Sequence, residues 1–130
     1  MKILQPPDWP RPKGYANGVS ARGNLVFLSG VVGWNAQGEF AGSDFVTQVR
    51  QALLNIVEIL KQAQARPEHI ARMTWYVLDK NEYMSAAREM GVVYREIIGR
   101  HYPAMTVVEV SGLIELSARV EIEVTAVVPD

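Results

Sequence analysis

The chain has 130 residues, 48% of them hydrophobic, which is enough to bury the core of one domain spanning residues 1–130 and leaves none over for a second. A formal net charge of −1, with 13 Lys and Arg scattered along the chain, offers no broad cationic field to a phosphate backbone, so nucleic acid is not the expected main partner. No apolar run approaches the roughly 20 residues of a membrane span, and the absence of cysteine excludes disulfides, thiolate chemistry and zinc–thiolate sites.

Residues 1–13 contain Pro6, Pro7, Pro10 and Pro12, which remove backbone donors and favour an extended arm on the body of the domain, docked by Trp9. Ile3 and Leu4, the apolar residues ahead of the prolines, fall short of a secretory signal's apolar core, so a cytoplasmic location is the expectation. From Tyr15 the sequence reads as a hairpin: a short strand, a turn at Arg22, Gly23 and Asn24, then a strand from Leu25 to Val32. Phe45, Val49, Leu53, Ile56 and Leu60 recur at spacings of three and four, which predicts an amphipathic helix over about 44–64, capped by Ser43 or Asp44. The β-branched and aromatic run after Pro67 predicts a strand whose Trp75 and Tyr76 point to opposite faces, one to the core and one to an interface. Asp79 followed by Glu82 resembles a capping box opening a second helix, which buries Tyr83, Ala87, Met90, Tyr94 and Ile97. Strands over about 104–111 and 119–128 close the chain around a loop at Gly112 to Ser117.

This order, with helical crossovers between strands, predicts an α+β fold: a single mixed β-sheet with two helices packed on one face. Two helices cover one face only. Segments as apolar on both sides as LVFLSGVV and MTVVEV need cover on the other, so self-association is expected from sequence economy.

In the last strand Val120, Ile122, Val124 and Ala126 point one way, while Arg119, Glu121, Glu123 and Thr125 point the other. Same-face neighbours lie roughly 7 Å apart on a strand, so Glu121 and Glu123 form a carboxylate pair. Such a pair serves a solvated strand face, an ion pair with Arg119, or proton transfer at a site.

Three segments in order, GYANGVSARGNLVFLSG, QVRQALLNIVEIL and YPAM…EV…L…VEIEVTAV, resemble the Rid family of reactive intermediate deaminases, also called RidA/YjgF or endoribonuclease L-PSP-like, from about Gly14 to Val128. The resemblance implies a YjgF-like, chorismate-mutase-like fold, a homotrimer, and a small-molecule ligand in clefts at the subunit interfaces. In the deaminating relatives an arginine directly after Pro-Ala clamps the carboxylate of an imino acid, and a glutamate in the last strand helps activate water. Glu121 matches that glutamate and is the catalytic candidate. Tyr15, Ser29 and Gly30 match positions that line the cleft.

Met105 follows Pro103 and Ala104 where those relatives carry the arginine, which makes this a non-arginine member. Two charge-assisted hydrogen bonds at roughly 1.5–3 kcal/mol each correspond to about 100-fold to 10,000-fold in carboxylate recognition. Gly91 is a second departure, standing where many relatives place an asparagine three residues before an aromatic. The resemblance therefore implies an imine or enamine hydrolase that does not take α-imino carboxylates in the usual way, with a less polar cleft walled by Met105. The alternatives are a non-catalytic trimer that binds a small molecule or a partner, and an endoribonuclease or translation inhibitor. No cofactor is expected. His69 and His101 are too far apart in sequence, with no companion ligands, to predict a metal site.

Overall fold

The computed structural model describes residues 1–130 as β1 (Lys2–Ile3), β2 (Val19–Ser20), β3 (Asn24–Phe27), β4 (Val31–Val32), α1 (Phe45–Gln62), β5 (Ile70–Val77), α2 (Lys80–Ser85), α3 (Ala87–Ile97), β6 (Ala104–Glu109) and β7 (Val120–Val128). A five-stranded mixed sheet runs in the order β3, β7, β5, β6, with β4 also paired to β7. The helical connection from β5 leads to its parallel neighbour β6, as the crossover length predicts. The α1 connection instead joins β4 and β5, which flank the antiparallel β7. The expected α+β architecture is present, and the helices lie on one face.

Alternation in β7 aims Val120, Ile122, Val124 and Ala126 at α1, whose Val49, Leu53, Ile56 and Leu60 are fully buried. Burying side chains of this size contributes about 1.5–3 kcal/mol each. Asp44 starts α1 by accepting the Thr47 N–H at 3.0 Å, which selects between the two caps that the sequence allows. In β5 a register shift between Ile70 and Arg72 absorbs one residue, so Ile70 and Met73 both reach the core although they sit three apart.

Ahead of α1, three sequence expectations change. Val19 and Ser20 do not fold back on the next strand; they pair antiparallel with Ile3 and Lys2. The turn fails because Gly23 packs against the end of β7, where a Cβ would overlap the Val128 carbonyl oxygen, and this carries residues 24–27 alongside β7. The strand expected from Leu25 to Val32 is interrupted between β3 and β4 at Leu28, Ser29 and Gly30. The proline-rich arm is held by that β1–β2 pairing and by the Asn17 amide bonding to Gln5 at 3.0 Å, while Trp9, expected to dock the arm, is 59% exposed.

The second predicted helix is divided at Ala86, whose φ of −91° and ψ of 5° fall outside the helical region. The break lets α3 lie against α1, where Arg50 and Glu96 pair at 3.0 Å, while α2 turns toward the start of β7. Asp79 caps α2 as predicted, accepting the Asn81 N–H at 2.9 Å. Glu82 does not complete the capping box, because its carboxylate is taken by Arg119. Ala87 is exposed and Ile97 half-buried, while Met90 and Tyr94 enter the core. No helix is long and apolar enough to cross a membrane.

One buried amide joins these parts. Gln48 in α1 is fully buried; its Nε2 donates to the carbonyls of Gly42 at 3.0 Å and Ser117 at 2.9 Å, and its Oε1 accepts from Arg119 N–H at 2.7 Å. Gln48→Leu keeps the volume and strands all three partners, at about 1–3 kcal/mol for each group that finds no water. Urea unfolding is expected to show a loss of about 2 kcal/mol or more; a loss below about 0.5 kcal/mol would mean that the amide does not hold these segments together.

Candidate functional site

Strand parity divides the residues that the sequence singles out. The parallel register of β5 and β6 sets Met73 beside Met105 and Trp75 beside Val107, on the face that the helices cover. The register of β5 and β7 sets Tyr76 beside Glu121 and Thr74 beside Glu123, on the open face. Within one chain, Met105 and Glu121 therefore project from opposite faces of the sheet.

On the helix side, Met105 lines a cavity of about 510 Å³ at the β6 edge, together with Tyr15 from the end of the arm and Gly91 from α3. This volume falls in the range of small-molecule sites. Trp75, Tyr83, Tyr94 and Tyr102 also line it. Tyr94 stacks on Tyr102 with centroids 5.7 Å apart, and Trp75 meets Tyr83 edge-on at 6.2 Å. Burial, with Tyr102 adding to it, pushes the Tyr94 phenol well above its ordinary range, so it stays protonated and donates to the His101 carbonyl at 2.7 Å. Burial likewise raises Tyr83. Trp75 is 2% exposed and its Nε1–H has no partner. An unmade buried hydrogen bond costs about 1–3 kcal/mol, and this donor is sealed from solvent by the surrounding core.

On the open face, Glu121 lines a smaller hollow of about 280 Å³ with Gly30, Tyr76, Glu123 and the loop at Gly112 to Ile114. Its carboxylate rests against Gly30, where a Cβ would overlap Oε2, so only glycine leaves the carboxylate in this position. Glu121 makes no ion pair and no side-chain hydrogen bond within the chain. The sequence offered Arg119 as its partner through shared parity. Arg119 lies just outside β7, however, and its Nε reaches across to the Glu82 carboxylate at 2.9 Å. Tyr76 donates to Glu123 at 3.1 Å; that bond, then burial and the charges of Glu123 and Glu121, raises the phenol above its ordinary range.

The sequence-selected set thus separates into Tyr15, Gly91 and Met105 at one cavity and Gly30 and Glu121 at the other. Ser29 is exposed beside Gly30 and lines neither. The histidines serve local structure: His69 Nδ1 accepts the Arg66 N–H at 3.0 Å, and His101 Nε2 lies 2.7 Å from the Ile70 carbonyl. Sequence reasoning missed the cavity's cations, Lys13 and Arg95, and the shared role of its aromatics. The periodicity that put Tyr83, Met90 and Tyr94 on one helix face was the available signal.

One α+β domain thus carries an unpaired carboxylate on the open face of its sheet and an aromatic cavity at the edge of the helix-covered face. The family model described as Endoribonuclease L-PSP matches residues 10–128, and the chain belongs to that family. A RutC family protein of Pyrococcus horikoshii is 35% identical over 106 residues, covering 80% of each chain. The 2-iminobutanoate/2-iminopropanoate deaminase of Capra hircus is 33% identical over 103 residues, 78% of this chain and 72% of that one. A Rid-family crystal structure from Yersinia pestis superposes with a TM-score of 0.83 at 27% identity, covering 98% of both chains.

Glu123→Gln removes the charge beside Tyr76 that disfavours phenolate. Ultraviolet titration is expected to show the Tyr76 pKa moving down toward the ordinary phenol range. An unmoved titration would mean that Glu123 does not perturb Tyr76.

Proposed function

We propose that this protein hydrolyses a small imine or enamine lacking an α-carboxylate, at sites formed between the subunits of a homotrimer. The observation that carries the reading is Glu121: a half-buried carboxylate with no partner in its own chain, seated against Gly30 in a hollow. A water held by Glu121 adds to the C=N carbon as the carboxylate takes its proton, and the proton passes to nitrogen. The resulting carbinolamine collapses to a carbonyl and ammonia, so one water is consumed for each ammonia released. An enamine first gains a proton at carbon and loses one from nitrogen to become the imine. No metal or cofactor is required in this sequence of steps.

The goat relative is named for two α-imino acids, and both carry a carboxylate beside the C=N bond. Met105 offers no charge and no donor to such a group, which favours substrates without it. Assembly belongs to the proposal because Glu121 and the Met105 cavity occupy opposite faces of one sheet and act on one ligand only across a contact between copies. Apolar groups on the uncovered face support such a contact: Phe27 is 71% exposed, Leu25 57% and Val108 40%. The threefold form follows from the family resemblance.

The test is ammonia release from imines generated in situ, comparing an α-imino acid with an imine that lacks the carboxylate, alongside sedimentation of the protein. Wild type is expected to sediment as a trimer and to accelerate the second substrate, Glu121→Gln to lose about 100-fold or more, and Met105→Arg to gain turnover of the α-imino acid. Unchanged turnover in Glu121→Gln would overturn the mechanism. If wild type accelerates neither imine and Met105→Arg accelerates the α-imino acid, the protein is a binding module on a retained scaffold.

A further inference from the structure

The cavity beside Met105 carries a charge pattern that its apolar lining conceals. Of its 13 lining residues 9 are hydrophobic, two are the cations Lys13 and Arg95, and none is acidic. Neither cation is ion-paired, although the chain holds 14 acidic residues to choose from. A neighbouring hollow of about 470 Å³ shares Tyr15 and Tyr102 with the cavity and adds Arg11 and Arg100, again with no acidic residue in its lining and no ion pair. In a chain of net charge −1 this segregation makes one edge of the domain attractive to an anion.

Arg95 is positioned by the second sequence departure. It lies one turn after Gly91 on the same face of α3, and a Cβ at Gly91 would sit 3.4 Å from its Nη1. The guanidinium thus lies over the surface that a larger residue at 91 would fill. Met105 takes a cation away from β6, and Gly91 leaves room for one arriving from α3. Within the same cavity, Trp75 and the stacked pair Tyr94 and Tyr102 contribute aromatic walls.

We infer that Arg95, seconded by Lys13, binds the acid group of the ligand in this cavity, while Trp75 and the stacked tyrosines take its unsaturated body. The ligand class is a small aromatic or conjugated carboxylate whose acid group is remote from the reacting C=N carbon. This rests on the reading that the cavity is the substrate-binding half of the hydrolytic site, and names the substrate that half selects. A guanidinium on α3 reaches an acid group at the far end of a ligand whose near end faces Met105.

Binding of cinnamate and its neutral isostere cinnamamide, measured by calorimetry and by the Trp75 indole N–H resonance, tests the assignment without turnover. Cinnamate is expected to bind about tenfold or more tightly than cinnamamide at low salt, with the margin shrinking as salt rises, because Arg95 is exposed. Arg95→Gln should bring the two to within about twofold by weakening cinnamate alone, Arg95→Lys should keep part of the margin, and Gly91→Asn should reduce it. Equal binding of the two probes, binding of neither, an unmoved Trp75 resonance, or an undiminished margin in Arg95→Gln would overturn it. Tight binding of a short oligouridylate without binding of cinnamate would overturn it in favour of RNA. The margin is expected to persist in Glu121→Gln, so failure of the hydrolytic reading and failure of the anion site give different results.

Discussion

A single buried amide, the side chain of Gln48, fixes where the last strand begins, and the rest of the architecture depends on that starting point. Its Oε1 takes the Arg119 N–H immediately before β7, and its Nε2 holds the Ser117 carbonyl at the end of the preceding loop. β7 then pairs with β3, β4 and β5, so its register is transmitted to most of the sheet. Because side chains alternate with a period of two, a slip of one residue would turn Glu121 into the core and Ile122 out to solvent. A buried glutamine with all three of its bonds made is therefore a register device as much as a stabilising contact. The carboxylate on the open face stays there because a helix on the other face holds the strand in place.

The same parity that gives the sheet its core also partitions charge. The hollow around Glu121 has two carboxylates and no cation in its lining, and the cavity around Met105 has two cations and no carboxylate. The carboxylates thus line the smaller hollow, and the larger cavity is walled mainly by apolar residues. Arg119, the cation nearest to Glu121 in sequence, is held by the Glu82 carboxylate. The helices cover one face of the sheet and leave the face bearing Glu121 uncovered.

The elements that sequence revealed are those whose signal is periodic and local: the alternation of β7, the helical spacing of α1, the Asp79 cap and the opposed Trp75 and Tyr76. Contacts between distant segments were out of reach. Val19 and Ser20 look like half of a hairpin because turn residues follow them, yet their partner lies at the start of the chain. Arg119 shares parity with Glu121 on paper, but parity binds only residues inside the strand, and Arg119 stands one residue before it. Family likeness pointed to Met105 and Glu121, and also to Gly91 as a loss of polarity. The replacement arriving from Arg95 was invisible because an exposed arginine on a helix carries no pattern that distinguishes it from any solvated charge.

Met105 also bears on the chemistry of the proposed reaction. Water adds far more readily to a protonated iminium than to a neutral imine, and a fixed cation beside the C=N group opposes that protonation. In relatives that bind an α-carboxylate, the substrate's own negative charge cancels the arginine. With a substrate that lacks this carboxylate, an arginine at 105 would stand uncompensated near the developing positive charge, inside an apolar wall where charges interact strongly. A thioether at 105 removes that opposition, and in the proposed reaction the carboxylate of Glu121 has the sign that favours the iminium. A cation at Arg95 would do less harm, because it is exposed to solvent that screens it and, for the proposed substrate, would face the distant acid group. Exchanging Met105 and Arg95 would bring the opposing charge back to the reacting carbon, so the identity of the residue on β6 and the placement of the anion on the substrate are one constraint.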